Sequence, residues 1–508
     1  MKTPTNVLLI TADQWRGECL SILGHPVVKT PNLDSLAQES VLFCNHYAQC
    51  TPCSPSRTSL YTGMYLMNHR SVRNGTPLDA RFTNLALEMR KEGYEPGLIG
   101  YTDTTLDPRL LHPNDPERKR YTNVLPGFKE LVPGSSGQLP WLRFLISKGY
   151  DFSLSLKDFF NHVDAYPGSE NRGPTYPPSP YSSEDSDTAF MTNHAIEEIS
   201  IIDKKPWFLH LSLLRPHPPF IVPEPYNTMY EPDEVPDFFR AKSPDEEAMI
   251  HPYSSYMLRH HLEKEGLEPK LHPNTENAMR QLRATYYGMI TEVDDNIGRL
   301  IETLKKTGQF DNTLIVFTSD HGEQLWDHWM LGKECYFDQS FFIPLIIRVP
   351  GKCADSGRGI VVDAFSENID IMPSILDLLD LDIPLQCDGH SLKPFLCGKN
   401  PDEWRQEVHW ELDFRDVVNR KSEKELNLNF HSCSFAVIRD KHYKYVHFTA
   451  LPALLFDIEN DPYELNNLST DPTYTETIAE YAKKMLSWRM GHADRTLTGI
   501  LLDYERST

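Results

Sequence analysis

Four short apolar segments, each followed by polar residues, constrain the fold of this chain more than any other feature. They lie at residues 7–11, 97–101, 207–213 and 313–318. Continuous apolar runs of this length are typical of strands that are buried on both faces. Segments with helical patterning separate them, and alternating strands and helices indicate a mostly parallel sheet covered by helices on both sides. The sequence therefore predicts an α/β fold.

The polar residues that follow these strands are expected to meet at one edge of the sheet. In chain order they are Asp13, Gln14, Tyr101, Asp103, His217, Asp320 and His321. In open α/β sheets, ligands bind at the carboxyl ends of the strands. We therefore predict a functional site at this edge.

The chain is predicted to contain two structural units. Residues 1–360 form a catalytic α/β domain, which an irregular, proline-rich excursion interrupts at 104–183. Residues 361–508 form a smaller α+β subdomain with a hairpin at 435–448 and a final helix near 474–490. Long irregular insertions are often lids or interface elements. We expect a homo-oligomer, a dimer or a tetramer, with the excursion and the final helix at its interface.

Charge and composition exclude several classes of partner. The chain has 72 acidic and 50 basic residues, a net charge of −22. Nucleic acids and anionic membranes favour basic surfaces, so neither is expected as a partner. No apolar run is long enough for a transmembrane helix, and no signal peptide is recognisable. An odd number of cysteines, 9, indicates a reduced compartment rather than a disulfide framework, and we expect a cytoplasmic protein.

The segment at residues 50–63, CTPCSPSRTSLYTG, contains the most specific pattern in the chain. A lone cysteine such as Cys53 is most often a small buried apolar residue. Here it directly precedes a predicted helix, with Pro55 near the first turn, where a missing N–H costs least. Arg57 follows one turn later and faces the same side of the helix, where its planar donors could fix an anionic oxygen. Cys53 is thus either a buried apolar residue or a nucleophile, and its spacing from Arg57 alone does not decide between the two.

Acidic residues after two of the strands suggest a metal site. Asp13, Asp320 and His321 offer oxygen and imidazole ligands suited to Ca²⁺, Mg²⁺ or Mn²⁺, and Gln14 could add an amide oxygen. The alternative is that each aspartate caps a helix, a common role for a carboxylate after a strand. Spacing alone does not decide between the two.

Three further polar residues are candidates for a role in the site. Lys333 follows a glycine and lies close in sequence to Asp320, although a solvated lysine is the ordinary alternative. His217 lies in a loop bracketed by prolines and is either structural or a general acid, since its ordinary pKa of about 6.5 suits proton delivery near neutrality. Asn74 precedes a glycine and is either a turn residue or a substrate contact.

Together these segments resemble the type I sulfatases of the alkaline phosphatase superfamily. The resemblance extends over nearly the whole chain and is strongest to the subgroup of phosphonate monoester hydrolases and related cytoplasmic arylsulfatases. Besides the Cys53 segment, the matching stretches are Asp13-Gln14-Trp15-Arg16, Gly24-His25-Pro26, Gly100-Tyr101-Thr102, Leu106-Asp107-Pro108-Arg109, Arg215-Pro216-His217-Pro218-Pro219-Phe220 and Asp320-His321-Gly322-Glu323.

The resemblance implies that a maturation enzyme oxidises Cys53 to formylglycine, whose hydrate attacks the substrate. It also implies one divalent metal ion, with Mn²⁺ or Ca²⁺ expected, and Arg57 as the residue that holds the formylglycine. The implied metal ligands are Asp13, Asp320, His321 and the modified Cys53, with Gln14 close by. The implied contacts to the ester oxygens and the leaving group are Asn74, Tyr101, His217 and Lys333, with His217 or Lys333 as the proton donor.

The chain departs from the sulfatase pattern at Asp103. Sulfatases of the better-known type have a lysine in a Gly-Lys-Trp-His-like segment after this strand, where this chain has Thr102-Asp103-Thr104. A carboxylate beside an anionic substrate is unfavourable unless it is protonated, paired or bound to a metal. Asp103 could pair with a cationic part of the substrate or with Arg109.

Three functions are consistent with these features. The first is a formylglycine- and metal-dependent hydrolase of sulfate monoesters that also accepts phosphonate and phosphate esters. The second is a phosphonate monoester or phosphodiester hydrolase by preference. The third is a binding protein that keeps the fold without turnover, with unmodified Cys53 and no metal. We expect the first, with a small sulfate or phosphonate ester as substrate.

Overall fold

The computed structural model describes residues 5–134, 138–150, 163, 166–202, 206–264 and 275–501. The strands are β1 Asn6–Ala12, β2 Val41–Phe43, β3 His46–Tyr47, β4 Gly97–Gly100, β5 Lys129–Pro133, β6 Phe208–Leu213, β7 Thr313–Thr318, β8 Leu345–Arg348, β9 Ile360–Val362, β10 Ser366–Glu367, β11 Val408–Asp413, β12 Ser434–Arg439, β13 Tyr443–Phe448 and β14 Leu454–Asp457. The α-helices are α1 Pro31–Gln38, α2 Cys53–Thr62, α3 Leu66–His69, α4 Leu85–Lys91, α5 Leu139–Ser147, α6 Ser169–Arg172, α7 Asp187–Ile201, α8 Pro244–Ala248, α9 Pro252–Lys264, α10 Glu276–Lys306, α11 Asp338–Phe341, α12 Ile371–Leu378, α13 Lys393–Leu396, α14 Lys421–Glu425 and α15 Thr475–Gly491.

The central sheet has eight strands in the order β5-β4-β6-β1-β7-β8-β2-β9. Only β8 runs antiparallel to its neighbours, so the sheet is mostly parallel, as predicted. The four strands predicted from the apolar segments, β4, β6, β1 and β7, are adjacent. Thr11 of β1 pairs with Ser212 on one side and Thr318 on the other, so these strands end level with one another. The polar segments that follow them therefore meet at one edge.

Helices cover both faces of this sheet, because alternate residues of each strand point to opposite sides. Ile10 and Phe317 pack with α1, α7 and α10 on one face. Leu9 and Val316 pack with α2, α4 and α12 on the other. The α/β fold class is confirmed. Helix α2 lies on the second face, with its first residue, Cys53, close to the carboxyl edge of the strands.

The C-terminal part contains the predicted small antiparallel sheet, in the order β11-β12-β13-β14. Strands β12 and β13 form the predicted hairpin, and α15 is the predicted final helix. Met485 and Trp488 of α15 pack on Ile438 of the sheet. Strand β9 and helix α12 still belong to the central sheet and its cover. The division at residues 1–360 and 361–508 stays a prediction.

The excursion at 104–183 contains more regular structure than its sequence indicates. Strand β5 forms an edge of the central sheet, and α5 and α6 follow it. Residues 135–137, 151–162 and 164–165 of the excursion lie outside the described residues. Its role in an oligomer interface stays a prediction. Within the described ranges, no helix combines the length and apolar character needed to cross a membrane.

Candidate active site

Four side chains from three separate segments converge at the carboxyl edge of the sheet. Asp13 follows β1, Asp320 and His321 follow β7, and Cys53 is the first residue of α2. All four are buried, and one ligand atom of each lies within 4.8 Å of the others. The Cys53 Sγ lies 3.2 Å from His321 Nε2 and 3.8 Å from Asp13 Oδ1. The strand ends in the sequence predict this convergence, and the fold produces it.

The orientation of His321 suits a metal ligand. Its Nδ1 lies 3.0 Å from the Gly322 carbonyl oxygen, which can only accept a hydrogen bond. Nδ1 therefore carries the proton in the neutral ring, and Nε2 presents its lone pair to Asp13 and Cys53. Burial lowers the pKa of His321, which favours the neutral form that binds metals. Two carboxylates and this imidazole fit a divalent cation.

Arg57 holds the two carboxylates together. Its guanidinium is fully buried and donates from Nε to Asp320 Oδ2 at 2.8 Å and from Nη2 to Asp13 Oδ2 at 3.0 Å. Burial alone would raise the pKa of Asp13, but His217, Arg57 and His321 lower it below its usual value. Both carboxylates are thus fixed with oxygens directed at the cluster. The implied contact of Arg57 with a formylglycine stays a prediction.

Tyr101 and Ser212 complete the surroundings of Arg57. The Tyr101 hydroxyl donates to Asp13 Oδ2 at 2.6 Å, and the guanidinium lies 4.3 Å from the centre of its ring. Ser212 accepts from Arg57 Nη1 at 2.7 Å. Ser212 was not among the predicted site residues, because a single serine inside the apolar strand β6 carries no signal of its own.

Gln14 bridges the cluster and Lys333. Its backbone has φ 67°, an unfavourable conformation for this residue type, and its N–H donates to Asp320 Oδ1 at 3.1 Å. Its side-chain oxygen accepts from Lys333 Nζ at 2.5 Å, and its side-chain nitrogen donates to Glu323. The amide oxygen therefore faces the lysine. The role of Gln14 as a metal ligand stays a prediction.

Glu323 is a site residue that the sequence analysis missed. It is fully buried and accepts hydrogen bonds from the backbone N–H groups of Leu325 at 3.0 Å and Gly332 at 2.6 Å, besides that from Gln14. These bonds fix the segment that carries Lys333. Glu323 directly follows Asp-His-Gly, but only the fold shows that its carboxylate joins two loops.

Asn74 and His217 both lie at the predicted edge. Asn74 Oδ1 accepts from the Ser54 N–H at 2.9 Å, which ties its turn to the start of α2. Burial and then Lys333 lower the pKa of His217 to about 3. His217 Nδ1 lies 2.7 Å from the Pro218 carbonyl oxygen, so the neutral ring carries its proton there and has a lone pair on Nε2.

Asp103 does not pair with Arg109, so that alternative is wrong. Arg109 instead bonds Asp107 Oδ1 at 2.9 Å and lies 2.9 Å from Asp79 Oδ1. Asp107 lies two residues before Arg109 in the chain, whereas Asp103 lies six residues before it. Asp107 is therefore the nearer acceptor for the guanidinium of Arg109. The Asp103 carboxyl is buried at the site, in a left-handed backbone conformation with φ 50°. Burial raises its pKa to about 7.

Arg215 supports the loop that carries His217. Its Nη1 donates to the carbonyl oxygens of His217 at 3.1 Å and Pro219 at 2.7 Å. Its Nε lies 3.5 Å from Asp187, and the buried Glu292 of α10 adds a second carboxyl group to this environment. Burial and then Asp187 raise the pKa of Glu292 to about 8.

Replacing Glu292 with glutamine is expected to stabilise the protein in alkaline solution. A raised pKa means that folding favours the protonated form, so this carboxyl destabilises the wild type increasingly as pH rises from about 4.5 to 8. We expect thermal unfolding at pH 9 to occur a few degrees higher in Glu292→Gln than in the wild type, with no difference near pH 4.5. The exposed Glu302→Gln on the same helix is the control. Equal pH dependence in wild type and Glu292→Gln would contradict this.

Comparisons with known proteins find similarity over most of the chain. A family model described as Sulfatase matches residues 5–381, and one described as N-sulphoglucosamine sulphohydrolase, C-terminal, matches residues 326–491. A relative from Trinickia caryophylli, the multifunctional alkaline phosphatase superfamily protein PehA, is 44% identical over 509 residues, covering 98% of this chain and 97% of its own.

Two solved structures are similar over almost their whole length. The phosphonate monoester hydrolase of Agrobacterium radiobacter superimposes with a TM-score of 0.94 at 46% identity, covering 99% of this chain and 98% of its own. The phosphonate monoester hydrolase SpPMH from Silicibacter pomeroyi has a TM-score of 0.90 at 39% identity, with the same coverage of both chains.

Proposed function

The chain belongs to the sulfatase family, and we propose that it hydrolyses phosphonate monoesters and phosphodiesters by preference, with sulfate monoesters as overlapping substrates. The cluster of Asp13, Cys53, Asp320 and His321 carries this proposal, because it combines a metal site with the position of the family's nucleophile. The comparisons favour this second interpretation of the sequence over the first, in which sulfate esters are preferred, since the two solved structures described above, with TM-scores of 0.94 and 0.90, are phosphonate monoester hydrolases.

A divalent metal ion fits the residues present. Asp13, Asp320 and His321 would hold it, and the ligand type suits Mn²⁺ or Ca²⁺. The pKa of the Asp13 carboxyl lies below its usual value, so this group stays ionised. Arg57 pairs with Asp13 and Asp320 and offsets the negative charge of the two buried carboxylates only in part. A bound metal would supply positive charge for the anionic oxygens of the substrate.

Formylglycine at position 53 is part of the proposal. An aldehyde hydrate there would supply the attacking hydroxyl group, and it would lie beside Asp13 and His321. Burial, and then the Asp13 carboxylate, raise the pKa of the unmodified Cys53 thiol above its usual value. The proposed activity therefore requires a formylglycine-generating enzyme that oxidises Cys53.

Proton delivery to the leaving alcohol is assigned to Lys333 rather than His217. Lys333 is buried and donates from Nζ to Gln14, so an ammonium group is held at a fixed place in the site. The neutral His217 ring carries its proton on Nδ1, which donates a hydrogen bond to the Pro218 carbonyl oxygen. His217 then offers a lone pair to a substrate or nucleophile hydroxyl, and Asn74 and Tyr101 border the ester oxygens.

Comparing two aryl esters tests the preference. Because the proposal places phosphonate monoesters first, we expect kcat/KM for an aryl phenylphosphonate to exceed that for the sulfate ester of the same phenol by at least about tenfold. The measurement uses protein from the native host loaded with Mn²⁺ or Ca²⁺, and the metal-free protein is the control. A higher kcat/KM for the sulfate would restore the first interpretation, and no hydrolysis of either ester would refute the proposed activity.

A further inference from the structure

Asp103 is an ionisable group in the site, and within the described residues no side chain or backbone group is bonded to it. Its side chain is only 8% exposed. Within the described part of the chain, no N–H or O–H group donates a hydrogen bond to its carboxylate, and the surrounding charges act on it only at longer range. Unlike the fully enclosed unpaired polar atoms of the described residues, its carboxyl oxygens keep some solvent access.

The cations around Asp103 bond other acceptors. Arg57 bonds Asp13 and Asp320, Lys333 bonds Gln14, and Arg109 bonds Asp107 and Asp79. A carboxylate with little access to water is unfavourable unless a cation joins it. Since these cationic side chains already bond other acceptors, we expect a cationic group of the ligand to be the partner of Asp103.

An aromatic residue, Tyr121, lies on a segment that runs beside the one carrying Asp103. Thr105 Oγ1 donates to the Tyr121 carbonyl oxygen at 2.6 Å, and Thr104 pairs with Asn123. Tyr121 packs over Gly75, where a Cβ atom would be 3.1 Å from the ring, and Gly75 follows Asn74, which bonds the start of α2 next to Cys53. The Tyr121 side chain is 58% exposed. The adjacency of the two segments agrees with the pKa of the Tyr121 hydroxyl, which burial, and then Asp103, raise to about 12. A carboxylate and an aromatic face together attract organic cations.

We propose that Asp103 and the ring of Tyr121 form a subsite for a cationic group on the alcohol half of the substrate. This rests on the proposed ester hydrolysis and names its substrate class: esters that carry an alkylammonium or similar group and are therefore zwitterions. Lys333 and a bound metal would take the anionic end, and Asp103 would take the cationic end. The subsite also explains how a carboxylate is tolerated so close to an anion-binding centre.

A pair of isosteric esters tests the subsite. The probes are the 3-(trimethylammonio)phenyl and 3-tert-butylphenyl esters of phenylphosphonic acid, which differ in charge but hardly in shape. The ratio of kcat/KM for the two esters is expected to fall by about tenfold in Asp103→Asn relative to wild type, because intrinsic leaving-group reactivity cancels between the two proteins. The control Asp107→Asn removes a nearby carboxylate that Arg109 already bonds, and it is expected to keep the wild-type ratio.

Substitutions of Tyr121 test the aromatic part of the subsite independently, with the same ratio of kcat/KM for the two esters. Tyr121→Phe keeps an aromatic face and should keep the ratio, whereas Tyr121→Leu should lower it by about threefold. An unchanged ratio in Asp103→Asn would overturn the proposal and would instead indicate a protonated Asp103 that donates a hydrogen bond, which asparagine can replace.

Calorimetry separates failure of the subsite from failure of the proposed hydrolysis, because it needs no turnover. With wild-type protein, 3-(trimethylammonio)phenol is expected to bind about tenfold more tightly than 3-tert-butylphenol, and added salt should weaken only the former. Equal affinities would overturn the subsite even if both esters were hydrolysed. Selective binding without hydrolysis would support the subsite and refute the proposed reaction. This measurement also decides the question if Asp103→Asn fails to fold.

Discussion

Cys53→Ala is expected to lower kcat/KM on any ester that the protein hydrolyses by roughly 10⁴-fold or more, the scale found when a nucleophile is removed. The reason is positional as well as chemical. Cys53 is the first residue of α2, and its Sγ lies 3.2 Å from His321 Nε2 and 3.8 Å from Asp13 Oδ1. Steady-state kinetics with an aryl phosphonate measures the loss. Cys50→Ala is the control, since Cys50 is buried nearby and bonds Ser59 instead of the cluster.

Cys53→Ser distinguishes an aldehyde from a simple hydroxyl nucleophile. A serine ester has no second hydroxyl on the same carbon that could expel the bound phosphonyl group, so we expect at most one phenolate per site and no turnover. In the wild type from the native host, the peptide containing Cys53 is expected to show loss of H₂S and gain of one oxygen atom. Full activity with only a thiol at Cys53 would contradict the proposed maturation.

The fold was largely predictable because its strands are short, apolar and buried. Helix α10 and the hairpin β12–β13 were also predictable, since their periodicities are local. Strand β5 was not, because its exposed and half-buried residues give no continuous apolar run. The antiparallel direction of β8 is likewise set by connections between distant segments, on which local patterns carry no information.

The residues that form the site were easier to predict from the sequence than the contacts between them. Strand ends predicted that Asp13 and Asp320 would meet, and the cluster confirms this. The bonds of Gln14 to Lys333 and Glu323 join residues more than 300 positions apart, so no spacing rule predicts them. The suggested Asp103–Arg109 pair failed for a simple reason: Asp107 lies nearer to Arg109 along the chain and engages its guanidinium.

Asp320→Asn is expected to remove metal binding and turnover together, with metal affinity lower by at least roughly 100-fold. Asp320 has several functions in the cluster. Its Oδ2 accepts from Arg57, and its Oδ1 accepts from the backbone N–H groups of Gln14 and His321. Asparagine keeps the shape but removes a negative charge, and its amide nitrogen cannot accept a hydrogen bond from these donors. Metal content after dialysis and kcat/KM are measured on the same preparation.

The control separates loss of a metal ligand from loss of a buried ion pair. Asp338 is another partly buried aspartate with cationic partners, Lys444 at 2.9 Å and Arg439 at 3.2 Å, but it lies outside the cluster. Asp338→Asn is expected to lower thermal stability while the metal content stays at the wild-type level. If Asp320→Asn instead kept normal metal content and full activity, Asp320 would be a structural partner of Arg57 alone. The coincidence of both losses in Asp320→Asn, and of neither in Asp338→Asn, would identify Asp320 as a ligand on whose charge the reaction depends.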